Sequence, residues 1–146
     1  MSQVVVVDGN SLTLEQVESV AIDLALDIEL CGRAEKRVIR SRDLIESKVR
    51  SGERVYGVTT GFGRLADVEI ASEEMTDLQH NLVRSHASGM GNPFPREVVR
   101  AIMILRANAL ARGVSGCRVG LIRALIGLLN AGIHPRVPEF GSVGAS

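Results

Sequence analysis

The sequence predicts a mainly α chain with one short strand and a glycine-rich loop. Three observations carry this. Apolar residues recur at helical spacing in five stretches, Thr13-Leu14-Glu15-Gln16 has the spacing of a capping box, and turn-forming clusters such as Gly89-Met90-Gly91-Asn92-Pro93 separate the stretches.

Val4 to Val7 is a run of β-branched residues closed by the turn signal Asp8-Gly9-Asn10, which reads as a strand. Behind Thr13, the residues Leu14, Val17, Val20, Ala21, Leu24, Ala25 and Ile28 recur as one helix, with Gly32 as its stop. A second amphipathic helix carries Val38, Ile39, Ile45 and Val49 among charges and ends at Ser51-Gly52. From Arg54 to Ala66, Tyr56, Val58 and Thr59 favour strand, but Gly57, Gly61 and Gly63 argue for a structured loop. Ser72 is placed to cap a third helix, with Glu73 and Glu74 at its positive end, running to about Ser88. Pro95 suits the first turn of a fourth, apolar on most faces from Val98 to Leu110 and ended by Gly113. Cys117 to Leu129 forms the fifth, closed by Ala131-Gly132. His134 to Pro138 must be extended, since two prolines exclude helix there.

At 146 residues, with 45% apolar and 23% charged residues, the chain has the size and composition of one continuous globular domain. No apolar run approaches the roughly 18 residues of a membrane span, and the first residues lack a signal-peptide pattern. Cys31 and Cys117 cannot staple a fold and fit a reduced, cytoplasmic chain. The net charge of zero conceals a division: residues 1–77 carry nine Lys/Arg against fifteen Asp/Glu, and residues 78–146 carry eight Arg against Glu97 and Glu139. Arg100, Arg106, Arg112, Arg118 and Arg123 walk around their helices rather than lining a stripe, and no Tyr or Trp accompanies them. This reads as a basic surface for acidic partner segments, not for nucleic acid. The segment Val98 to Leu129 is too apolar for a surface and expects burial against other chain segments or subunits.

Single motifs are weak. Gly61-Phe62-Gly63-Arg64-Leu65-Ala66 matches G-x-G-x-x-A, but a dinucleotide site needs a second strand and an acidic residue about 20 positions on. Val83 stands there instead. His80, His86 and His134 give no metal pattern, and a lone His on a helix is more often a packing residue than a site residue. Tyr56 is the only tyrosine, set beside irregular glycine-rich backbone of the kind that carries function. Gly141 to Ser146 holds five small residues in six, which lets a backbone fold tightly upon itself.

Five segments in register give a stronger signal: Tyr56 to Gly63, Asn81 to Gly89, Leu105 to Asn108, Leu128 to Pro135, and Pro138 to Ser146. Together they resemble the aromatic amino-acid ammonia-lyases. The resemblance implies the N-terminal part of an ammonia-lyase-like helical fold, incomplete without a C-terminal helical portion. It implies a self-formed electrophile, methylidene-imidazolone (MIO), made when the glycine nitrogen of Ala-Ser-Gly attacks the alanine carbonyl and two waters leave. Ala145 and Ser146 match the first two members, and the glycine would follow them. Such an electrophile does what cofactors do elsewhere, holding the amine while a weakly acidic β-proton is removed.

By the same resemblance, Tyr56 is the base; a free tyrosine titrates near about 10, so the site must stabilise its phenolate. The pair Ser85-His86 matches the histidine-specific pattern, making His86 the substrate contact, since an imidazole that hydrogen-bonds the substrate ring discriminates strongly. Gly61 and Gly63 shape the loop rather than react. The implied activity is a carbon–nitrogen lyase of histidine catabolism, converting L-histidine to trans-urocanate in a cytoplasmic homotetramer. The alternatives are a related lyase of another aromatic amino acid or a histidine betaine, or a non-catalytic fragment that acts only with a companion chain.

Overall fold

A computed structural model describes residues 4–61, 63 and 75–141. They form two compact units, one from residues 4–43 and 93–137, the other from the described residues between 44 and 92 and from 138–141. The fold is mainly α, with five helices and four short strands among the described residues.

In the first unit, β1 (Val4–Val7) lies parallel to β2 (Asp27–Leu30), with Val5 opposite Ile28 and Val7 opposite Leu30. Between them runs α1 (Leu14–Ile22). Its capping box forms as expected: Thr13 Oγ1 accepts from Gln16 N, and Gln16 Oε1 accepts from Thr13 N. The single helix expected from Leu14 to Gly32 is corrected. Asp23 turns extended, and its carboxylate accepts from Ala25 N at 2.8 Å, a local bond that competes with further helix. Leu26, Asp27, Ile28 and Glu29 then alternate between buried and exposed, which is a strand's period of two. Gly32, expected as a helix stop, is instead the first residue of α2 (Gly32–Arg50).

Helices α4 (Arg96–Ala111) and α5 (Val119–Asn130) close this core. Val5, Val7, Val20, Ile28, Val38, Ile104, Ile122 and Leu129 are almost wholly buried, each contributing on the order of 2 kcal/mol. Among the described residues, Val98, Ile102 and Leu105 on α4, and Leu121 and Leu128 on α5, are exposed.

Arg100 corrects the view of the arginines as a basic surface. It is fully buried and donates to the carbonyls of Val20 (2.9 Å), Leu129 (3.0 Å) and Asp23 (3.4 Å). These oxygens belong to the C-terminal ends of α1 and α5, where unsatisfied carbonyls and the helix dipole favour a cation. Burial, and then Arg96, lower its proton affinity below that of a free guanidinium. Arg123 pairs with Glu35 at 2.6 Å.

The second unit holds the end of α2, the loop that follows it, α3 (Met75–His86), part of β3 (Gly89–Pro93) and β4 (Pro138–Gly141). The expected start of α3 at Ser72 to Glu74 lies outside the described residues. Residues 89–93 do break the helix, but they form a strand paired with β4 rather than a plain turn. Small residues allow this close pairing: a Cβ on Gly89 would sit 2.5 Å from Pro138 Cγ.

Candidate active site

The loop after α2 is built by two threonines. Thr59 and Thr60 are buried. Thr59 Oγ1 accepts from Val55 N at 2.8 Å and donates to the Glu53 carbonyl at 2.9 Å, while Val58 N and Thr59 N both donate to the Val55 carbonyl. Thr60 Oγ1 accepts from Gly57 N at 3.4 Å and donates to the Gly61 carbonyl at 3.1 Å. The backbone on either side of Tyr56 is thereby held by hydroxyls, not by strand pairing. Thr59 and Thr60 are supports of this loop that the sequence alone did not single out; the signal was two adjacent hydroxyls inside a glycine-rich segment with few apolar partners.

Tyr56 itself is 63% exposed, and its phenol oxygen accepts from Gly63 N at 3.1 Å. Gly63 has φ +56, a left-handed backbone that favours glycine. An N–H aimed at the phenol oxygen compensates negative charge upon it. Gly63 therefore does more than shape the loop: it supplies a donor to the one tyrosine.

His86 is the last residue of α3 and is exposed. Its Nδ1 lies 2.9 Å from the Leu82 carbonyl and 3.0 Å from Ser85 Oγ, and Ser85 Oγ lies 2.8 Å from the same carbonyl. The ring is thus tied to the C-terminal turn of its own helix. β3 begins three residues later and pairs with β4, whose last residue, Gly141, lies four positions before Ala145. Ala145 and Ser146 lie outside the described residues. Tyr56, Gly63, Ser85, His86 and β4 all belong to the second unit.

Other segments of the resemblance have structural work in the first unit. Asn108 Oδ1 accepts from Gly9 N at 2.8 Å. Asn130 accepts from Ile28 N and donates to the Ile28 carbonyl, both at 3.0 Å, so its amide extends the β1–β2 sheet as a strand would. His134 lies in this unit, with His80 and His86 in the other. Among the described residues no group of three or more His, Cys, Asp or Glu is placed to hold a metal. No helix among them is long and apolar enough to cross a membrane.

The chain matches the aromatic amino acid lyase family model over residues 12–146. It is similar to the histidine ammonia-lyase of Caldanaerobacter subterraneus subsp. tengcongensis, with 49% identity over 97% of the chain and 28% of that protein. Among solved structures, it is similar to histidine ammonia-lyase from Trypanosoma cruzi, with TM-score 0.87, 34% identity, and 97% and 27% of the two chains covered. Tyrosine aminomutase from Streptomyces globisporus superposes with TM-score 0.88 at 37% identity, over 94% and 26%. The chain spans somewhat more than a quarter of its curated relatives' length. The match over nearly the whole sequence, at close to half identity, carries one conclusion: the chain belongs to the aromatic amino acid lyase family.

Proposed function

We propose that this chain is the N-terminal portion of a lyase that eliminates ammonia from L-histidine to give trans-urocanate, completed by a C-terminal helical portion. The observation that carries the reading is the pairing of an exposed tyrosine, its oxygen facing a backbone N–H, with an exposed Ser85-His86 helix end in the same unit. Tyr56 takes the β-proton on its phenol oxygen, and Gly63 N–H compensates the charge that oxygen carries beforehand. His86 receives the imidazole of the substrate.

Ala145 and Ser146 suit the chemistry of MIO, since alanine supplies the carbonyl that is attacked and serine the hydroxyl that leaves as water. With a following glycine they would hold the group, which when formed supplies an electrophile for the substrate's amine. The strand β4 leads the chain toward that triad, and its pairing with β3 ties it to the segment directly after His86. The exposed apolar residues of α4 and α5 support assembly with the C-terminal portion and with further subunits, which we take from the resemblance to be a homotetramer in the cytoplasm.

The test is the full-length enzyme containing residues 1–146, offered L-histidine, L-tyrosine and L-phenylalanine separately. Urocanate from histidine is expected, together with an intact mass short by two waters. Cinnamate from phenylalanine with no product from histidine overturns the substrate reading.

A further inference from the structure

We infer that Leu82 and Ser85 fix His86 in one tautomer, with the hydrogen on Nδ1, so that Nε2 meets a ligand as a hydrogen-bond acceptor. The inference rests on the reading of His86 as the substrate's ring contact and specifies what that contact selects.

The argument is one of donors and acceptors. The Leu82 carbonyl can only accept, and it lies 2.9 Å from His86 Nδ1. Ser85 has one hydroxyl hydrogen, and the same carbonyl, 2.8 Å from its Oγ, takes it. Toward the ring, 3.0 Å away, Ser85 Oγ then has only lone pairs to offer. Both neighbours of Nδ1 are acceptors, and the ring satisfies them only with N–H at that position. If Ser85 instead donated to a bare Nδ1, the nitrogen lone pair would face the Leu82 carbonyl at hydrogen-bond distance, leaving two acceptors opposed. A neutral imidazole carries one N–H, so Nε2 keeps its lone pair.

The consequence is a rule for the ligand. The group placed against Nε2 must donate a hydrogen bond, which an imidazole N–H does and a phenyl ring does not. A site built around an acceptor rejects a ring without a donor, because the acceptor is then left desolvated and unpaired. The rule also selects the substrate's own tautomer, since the ring nitrogen facing His86 must be the protonated one. Ser85 is accordingly a positioning residue: it acts through His86.

The experiment uses the full-length enzyme, labelled with ¹⁵N in its histidine rings and studied by solid-state NMR. The His86 signals are those lost in His86→Gln. In the unsubstituted enzyme Nδ1 is expected at the shift of a proton-bearing nitrogen and Nε2 at that of a lone-pair nitrogen. Ser85→Ala removes one of the two acceptors, so the ratio of tautomers falls about five- to tenfold, and Ser85→Thr restores it. KM for L-histidine rises in Ser85→Ala only by the factor by which the Nδ1–H fraction falls, about twofold, while kcat is unchanged, whereas a loss of general order in the site would lower kcat as well. An Nε2–H ring in the unsubstituted enzyme, or a ratio indifferent to Ser85→Ala, overturns the inference. The two readings separate cleanly. An enzyme inactive on histidine with His86 as Nδ1–H ends the substrate reading and upholds the tautomer. One active on histidine with Nε2–H does the reverse.

Discussion

Asn130 lies in a segment shared with the ammonia-lyases, yet its contacts are those of a sheet. Replacing it with alanine tests whether shared sequence means chemistry here. Asn130→Ala removes two hydrogen bonds of 3.0 Å and leaves the N–H and C=O of Ile28 without those partners. Ile28 is 2% exposed, so each orphaned group would cost about 1–3 kcal/mol if it stayed dry. Asn130 itself is exposed, however, and water can re-enter where its amide stood. The lower part of the range therefore applies, about 2–3 kcal/mol for the pair of groups. Asn130→Asp should be at least as damaging, because a carboxylate oxygen would face the Ile28 carbonyl where the amide nitrogen donates. The assay is urea unfolding of the assembled enzyme followed by circular dichroism, with kcat measured on the folded fraction. A lower midpoint with kcat nearly unchanged is expected. Unaltered stability with a hundredfold loss of kcat would refute the reasoning and assign Asn130 to the catalytic machinery instead.

Three further perturbations address the site and its supports. Tyr56→Phe leaves the ring and removes the oxygen that faces Gly63 N–H; kcat should fall about 10²- to 10⁴-fold with an unchanged circular dichroism spectrum, and near-normal turnover would disqualify Tyr56 as the base. Gly91→Ala places a Cβ 2.9 Å from Phe140 Cδ2 at φ +86, costing about 1–2 kcal/mol from the backbone alone, so hydrogen exchange at residues 138–141 should quicken; unchanged protection there would contradict the packing. Asp8 accepts from Ser11 N and Asn10 N, bonds that hold its carboxyl below the ordinary 3.8. Its folded value being depressed, its stabilisation is present above that ordinary value and disappears as the pH drops through the lower folded one. Asp8→Asn should therefore flatten part of the fall in urea midpoint between about pH 5 and about pH 3, and an identical acid limb would show that the turn contributes nothing.

Local rules were read best where the deciding partners are close in sequence. The capping box at Thr13 and the strand Val4 to Val7 needed only neighbours a few positions away. The join between α1 and β2 was misread because Leu24 and Ile28 satisfy a helix's spacing, while the alternation from Leu26 to Leu30 satisfies a strand's. What decides between them is β1, some twenty residues earlier. Arg100 was misread for the same reason: the three carbonyls that receive it lie 80, 77 and 29 residues away. At the site, the resemblance supplied Tyr56 and His86, but not the atoms that hold them. Gly63 N, Leu82 O and the threonine hydroxyls act through backbone placement, which residue type alone does not reveal.

The docking of Asn130 on Ile28 also has a consequence in time. The β1–α1–β2 segment leaves the ribosome 102 residues before the side chain that covers its edge. At synthesis rates of about 5–20 residues per second, the wait is roughly 5–20 s. For most of it, Val5, Val7 and Ile28 lack α4 (Arg96–Ala111), for all of it they lack a complete α5, and β2 presents an unpaired ladder to any other nascent strand. The interval is long enough for a chaperone to bind. A slow stretch of translation after residue 30 would lengthen the exposure, and one after residue 130 would give the finished core time to close.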